Sequence, residues 1–255
     1  MTFDALATTY DDDFTNSPIA RYLRGRVHDR LDTHFHRADT ILELGCGTGE
    51  DALYLAQRGL NVTATDASAL MLEIAAHKTE HTGRVTTRLM NLVDLPAITP
   101  VYAGAFSNFG AINVLPKWRP LAKWLKDRVK PGGIVAFGVL SRACLWEIAW
   151  HSAHGDFRTA FRRSRGTAVF QPAPTSAAIP IYYPTIEQLE AAFAPYFRRV
   201  YVEPLGFFLP PSDAYGVIEK RPRLLDKLLA LEKKFGHQRL LANFADHYWI
   251  EFKHQ

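Results

Sequence analysis

The chain has 255 residues, a formal charge of +4 and 47% hydrophobic residues, which is enough apolar material for a substantial core. Its modest charge disfavours a nucleic-acid partner. Two lone cysteines, Cys46 and Cys144, exclude a disulfide framework, and no paired Cys/His spacing points to a structural metal. No apolar run approaches the roughly 20 residues of a membrane helix. The opening MTFDALATTYDDDF is acidic and lacks the basic flank and apolar centre of a secretory signal. The expected location is therefore cytoplasmic, with reduced thiols and no membrane partner.

In chain order, residues 1–38 read as a helical arm in which His34 and His36 are expected to be solvated. The first strand is expected over Thr40–Leu44, followed by a glycine loop and a helix that Gly59 ends. A second strand over Val62–Thr65 leads to a helix capped by Ser68 and carrying Met71, Ile74 and Ala75. Strands at Val85–Met90 and Ala103–Asn108 come next. Leu121, Trp124, Leu125 and Val129 recur at helical spacing until KPGG stops that helix, and a fifth strand follows over Ile134–Leu140. WEIAWHSAH reads as helical, and the arginines of FRTAFRRSRG as a solvated helical face. The four prolines of QPAPTSAAIPIYYP predict a loop. Thr185 and Gln188 make a capping-box pattern ahead of Ile186, Leu189 and Phe193. Two more strands, in RRVYVEPLGFF and DHYWIEF, flank a helix whose apolar stripe is Leu224, Leu228, Leu231 and Phe235.

Apolar strands alternating with amphipathic helices predict an α/β fold, a mostly parallel sheet of seven strands covered by helices on both faces. No repeat and no second core is evident, so residues 1–255 read as one domain, with additions at 141–183 and 206–243.

ILELGCGTGE places Gly45, Gly47 and Gly49 directly after the first strand, where backbone N–H groups can approach a ligand that any Cβ would obstruct. The spacing is G-x-G-x-G, unlike the G-x-G-x-x-G of dinucleotide folds. A P-loop would continue with Lys and Ser/Thr, whereas Glu50 and Asp51 follow here and would repel a phosphate. The expected ligand is neutral or positive at this point. Asp66, ending the second strand, is placed to accept the hydroxyls of a ribose.

The E-x-G-x-G-x-G loop from Glu43 to Gly49, together with Asp66, resembles the motifs of the class I S-adenosylmethionine-dependent methyltransferases. FDALATTYDDDF, LVDLP, FSNFGAIN and VKPGG extend the resemblance over most of the chain. It implies a Rossmann-like sheet with an antiparallel last strand, S-adenosyl-L-methionine as cofactor and substrate-side insertions after the fifth and sixth strands. By resemblance, Glu43, Gly45, Cys46, Gly47 and Gly49 border the methionine moiety and Asp66 holds the ribose. Ala67 and Met71 lie against adenine, Asn91 and Leu92 meet its polar edge, and Asn108 and Phe109 close the inner side under Tyr10. Most relatives carry Asp where this chain has Asn91, which lacks charge assistance for the adenine amino group.

Neither the motifs nor the resemblance compels a catalytic residue. Glu147 and His151, on one face of WEIAWHSAH, are the candidates for a base, and their spacing to His154 does not complete a metal site. Acceptor contacts are expected from Asn113, Trp146, Trp150, Tyr183 and Phe208, a lining suited to a small apolar or aromatic molecule. The leading function is methyl transfer to such a metabolite. The alternatives are a nucleotide-cofactor oxidoreductase and a non-catalytic S-adenosylmethionine-binding protein. The oligomeric state stays open.

Overall fold

The structure, a computed structural model, describes residues 2–96, 100–171 and 176–255. Its centre is a sheet of seven strands: β1 (Thr40–Leu44), β2 (Asn61–Asp66), β3 (Val85–Leu89), β4 (Tyr102–Ser107), β5 (Val129–Leu140), β8 (Phe197–Leu205) and β9 (His247–His254). The spatial order is β3-β2-β1-β4-β5-β9-β8, and only β9 runs against its neighbours. β1 and β4 are inner parallel strands and therefore apolar on both sides, with Ile41, Leu42, Leu44, Ala105 and Phe106 all buried.

Successive residues of each strand feed opposite layers. Leu42, Leu44, Ala105, Phe137, Ile250 and Phe252 pack with α4 (Arg119–Lys126) and α7 (Ile186–Phe193). Ile41, Phe106, Ala136 and Trp249 pack with α1 (Pro18–Asp32), α2 (Glu50–Gln57) and α3 (Ala69–Thr79). Caps fix the ends as expected. Ser68 accepts from Met71 N at the start of α3, and Thr185 and Gln188 exchange both bonds of a capping box before α7.

Several expectations are corrected. The helix carrying Leu121 and Leu125 ends at Lys126, and KPGG belongs to β5, which begins at Val129 opposite Tyr102. Gly132, at φ +78°, lies where the pairing with β4 shifts register, so these glycines make a bulge inside the strand. The proline-rich segment holds half of a hairpin: β6 (Thr167–Phe170) pairs antiparallel with β7 (Ile179–Tyr182), and residues 172–175 lie outside the described part.

The remaining helices are α5 (Leu145–Ala153), α6 (Phe157–Ala160), α8 (Tyr215–Glu219) and α9 (Pro222–Phe235). In α9 the buried face is Leu225 and Glu232, while Leu224, Leu231 and Phe235 are exposed. An acid wins the inner face because Glu232 accepts from Arg26 (3.0 Å), Gly206 N (3.1 Å) and Phe208 N (2.8 Å). His34 is corrected likewise: its Nε2 lies 2.9 Å from Glu251 Oε2, and that buried carboxylate also takes two bonds from Arg30. His36 is exposed, as expected. No helix among the described residues is long and apolar enough to cross a membrane.

Candidate active site

The strand order reverses between β1 and β4, and in open α/β sheets ligands bind outside the carboxyl ends of the strands at such a point. The glycine loop leaves β1 here and Asn108–Phe109 leaves β4. Gly45, Gly47 and Gly49 all have positive φ (72°, 53° and 81°), but they do different things. A Cβ on Gly45 would collide with Ala111 Cβ, and one on Gly49 would stand 2.7 Å from Ala75 Cβ. Those two glycines permit close packing. A Cβ on Gly47 would make only an ordinary van der Waals contact with Tyr10 Cε1, at 3.8 Å, so of the three glycines Gly47 alone is free of a steric clash.

Asp66 organises this loop from below. Its Oδ2 accepts from Gly47 N and its Oδ1 from Ser68 N, both at 2.9 Å. A carboxylate offers about four acceptor positions, so capacity remains for hydroxyl donors. Burial raises its pKa, against the backbone bonds that lower it.

Glu43 is buried at 2% exposure, and its Oε2 has no hydrogen-bond partner. Burial pushes its carboxyl well above the ordinary value, and the nearby charges of Asp51 and Asp66 add to this against Arg24. A buried acid without a partner among the described residues, at the strand that leads into the glycine loop, is what a ligand ammonium or hydroxyl would satisfy. Asp51 was expected to bias the site against anions, but it faces inward. Arg24 Nη1 lies 2.8 Å from its Oδ2, His28 Nε2 2.7 Å from its Oδ1, and Asn108 Nδ2 donates to Oδ2 at 3.0 Å. Burial opposes its ionisation, yet the Arg24 charge and the His28 and Asn108 bonds hold it well below the carboxylate range. Glu50 is paired with Lys78 at 3.2 Å. The acids left to meet a ligand are therefore Glu43 and Asp66.

Burial likewise lifts the Cys46 thiol far above its ordinary value, so Cys46 is a packed side chain. Met71 and Leu92 are buried and Ala67 half-buried. Asn91 is exposed, and its Oδ1 already accepts from Val93 N at 3.0 Å, leaving one lone pair for an amino donor.

The arm closes over this edge. Asp11 accepts from Thr48 Oγ1 at 2.6 Å and pairs with Lys78 at 2.8 Å, which pins Tyr10 above Gly47. From Tyr10 a line of rings continues through Phe14 (5.5 Å) to Phe109 (5.0 Å), with Tyr215 stacked on Phe14 at 6.1 Å. Phe109 has φ +45°, which is strained for a non-glycine residue, and Arg24 lies 4.9 Å over its ring. Arg24, His28 and Tyr215 carry no sequence motif, and with Phe14, at the end of FDALATTYDDDF, they come together from elements far apart in the chain.

The substrate-side candidates divide. Trp146, Trp150 and Phe208 come together with Leu145, Phe207 and Leu228 around an apolar cleft of about 450 Å³. Trp146 Nε1 donates to Phe208 O at 3.2 Å. Tyr183 is buried with the Arg163 guanidinium 5.6 Å over its ring. Asn113 is wholly buried and bound to backbone: it donates to Tyr182 O at 2.7 Å and accepts from Leu140 N at 3.0 Å. It ties the hairpin to β5 rather than facing a ligand.

Glu147 is not a solvent-reachable base. It is 1% exposed and accepts from Arg162 Nε and Nη2 (both 2.9 Å) and from Arg163 Nε (2.8 Å). Arg162 and Arg163 are thus inward ion-pair partners rather than a solvated face. His151 is half-buried, with Nδ1 3.9 Å from Asp156. Among the described residues no group of three His, Cys, Asp or Glu is arranged to hold a metal.

The family model described as a methyltransferase domain matches residues 41–133, which contain the loop, Asp66 and the β4 turn. That stretch is therefore similar to a methyltransferase domain, in keeping with the resemblance carried by the glycine loop and Asp66. Over 130 residues it is 34% identical to the malonyl-[acyl-carrier protein] O-methyltransferase of Pectobacterium atrosepticum, covering 49% of this chain and 48% of that one. It spans between 48% and 62% of the length of the first curated relatives it matches. The fold of the CcbJ methyltransferase from Streptomyces caelestis superposes with TM-score 0.63 at 15% identity, over 100% of this chain and 98% of that one. That of the [4+2]-cyclase SpnF superposes with TM-score 0.55 at 17% identity, over 90% and 80%. The cyclase has the same architecture under a different reaction name, so the fold does not choose the chemistry.

Proposed function

We propose that this chain, as one domain with an N-terminal arm and two insertions, transfers a methyl group from S-adenosylmethionine to a small acceptor with an apolar or aromatic body. The observation that carries this reading is the buried oxygen of Glu43, without a partner among the described residues, on the strand that leads into the loop whose Gly47 is the least crowded of its three glycines. When bound, the cofactor supplies an electrophilic methyl carbon on a sulfonium. Glu43 would hold its ammonium, Asp66 its ribose hydroxyls, and Ala67, Met71 and Leu92 its adenine.

The chain's own contribution is position and exclusion of water. The Tyr10–Phe14–Phe109 line covers the edge at which the glycine loop and the β4 turn meet. Holding an acceptor in line in such a dry site supplies up to about 7–11 kcal/mol of a displacement barrier. The cleft of Trp146, Trp150 and Phe208 suits an apolar acceptor, because nearly all its lining is ring and alkyl surface. Calorimetry tests the reading: S-adenosylhomocysteine should bind and NAD(P) should not. Methyl transfer to an added acceptor then separates an enzyme from a binding protein.

A further inference from the structure

His247 is the first residue of β9 and pairs with Leu140 and Leu205, which places it at the carboxyl edge two strands, roughly 10 Å, from β4. Its ring stands at 88° to that of Phe109, 5.8 Å between centroids, and so continues the line from Gly47 through Tyr10, Phe14 and Phe109. Nδ1 lies 2.9 Å from Asp246 Oδ2, within ion-pair distance. The other oxygen of Asp246 is held by Arg163 Nη2 at 2.8 Å, and Arg163 is held in turn by Glu147. Among the described residues no hydrogen bond reaches Nε2, and the side chain is 8% exposed. A carboxylate beside one ring nitrogen, on a histidine whose ring abuts Phe109 at the end of the ring line, is the arrangement of a base with an orienting acid.

On the methyltransferase reading, we propose that His247, oriented by Asp246, takes the proton of a hydroxyl acceptor during methyl transfer, which makes the acceptor an alcohol or phenol on an apolar body. The acceptor O–H bond breaks toward Nε2 as the O–CH₃ bond forms, and the electron pair of the breaking C–S bond leaves with sulfur. The imidazolium then returns its proton to water. Around the pair stand Arg163 and Glu147 behind Asp246, Cys144 at the start of α5, and Tyr215 with Arg24 beyond Phe109.

The test uses the full chain with S-adenosylmethionine and 1-naphthol as the hydroxyl probe. His247→Gln preserves a polar side chain but cannot take a proton. It should bind S-adenosylhomocysteine as the parent does, yet lose about 100-fold or more in transfer to 1-naphthol at pH 7. That deficit should shrink as the pH nears the ionisation of naphthol itself. A second readout needs neither turnover nor a folded variant: the ¹⁵N signal of His247 Nε2 in the parent protein, assigned through its backbone, should shift when 1-naphthol joins the S-adenosylhomocysteine complex. A deficit independent of pH, an unmoved Nε2 signal, or tight S-adenosylhomocysteine binding without any naphthol methylation would overturn the assignment of the base. Failure of the parent to bind S-adenosylhomocysteine would overturn the cofactor reading beneath it.

Discussion

Tyr10 lies over Gly47, with its Cε1 3.8 Å from the point at which a side chain on that glycine would begin. A side chain at Gly47 would touch only that ring, while Gly45 and Gly49 are closed off by Ala111 and Ala75. Substitutions within the loop should therefore separate. Gly47→Val should lose about 1–2 kcal/mol to its positive φ alone and abolish S-adenosylhomocysteine binding. Gly49→Ala should destabilise by about 1–3 kcal/mol through overpacking against Ala75, with part of the loss restored by Ala75→Gly. Calorimetry and urea unfolding of the three variants check the division. Equal behaviour of Gly47 and Gly49 variants would reduce the loop to a turn.

Glu43 gives the site a pH signature. Its raised pKa means that the free protein holds a proton there at pH values where an exposed glutamate is ionised. A ligand ammonium favours the ionised form, so binding should release that proton, and affinity should rise with pH up to the raised pKa and level off above it. In folding the sign is the same as for any raised acid: protonation removes the cost of a buried charge, so this group favours the fold less as pH rises through its folded value. The binding enthalpy of S-adenosylhomocysteine measured in two buffers of different ionisation enthalpy reads the released proton directly. Glu43→Gln should remove the difference between buffers.

Glu147, the most attractive base in the sequence, should behave as a structural acid. Glu147→Ala leaves Arg163 buried with a partner lost and should cost about 3–5 kcal/mol of stability in urea unfolding, with cofactor affinity unchanged. Full stability with lost turnover would return Glu147 to a catalytic role.

Phe3 of the arm stacks on Phe170 of the hairpin, with 6.3 Å between centroids, so the two covers over the carboxyl edge touch. Hydrogen exchange at Tyr10–Phe14 and at Ser176–Ile179 should slow together when S-adenosylhomocysteine is added, and Phe3→Ala should uncouple them. Exchange indifferent to ligand at both segments would leave arm and hairpin as fixed structure.

The sheet was legible because inner parallel strands are apolar runs and their helices carry caps at fixed offsets, as Ser68 and Thr185 do. β5 was read short because KPGG is equally good as a helix stop and as a bulge, and only the pairing of Val129 with Tyr102 decides. The hairpin was missed because four-residue strands beside prolines leave no period-two signal, and Pro180 is tolerated in so short a pair. Misread charges share one cause. His34 meets Glu251, and Arg163 meets Asp246 as well as Glu147; the contacts with Glu251 and Asp246 span 217 and 83 residues, which no local pattern contains. His247 was silent for the same reason, being a lone histidine at the start of an apolar strand.

The central claim is that the edge between β1 and β4 is built for S-adenosylmethionine, and titration of S-adenosylhomocysteine into the purified chain tests it most directly. The account predicts saturable one-to-one binding that Asp66→Ala weakens by the loss of charge-assisted hydrogen bonds, about 1.5–3 kcal/mol, with NAD(P) giving no heat. An unchanged affinity in Asp66→Ala, or binding of NAD(P) in place of S-adenosylhomocysteine, would contradict it.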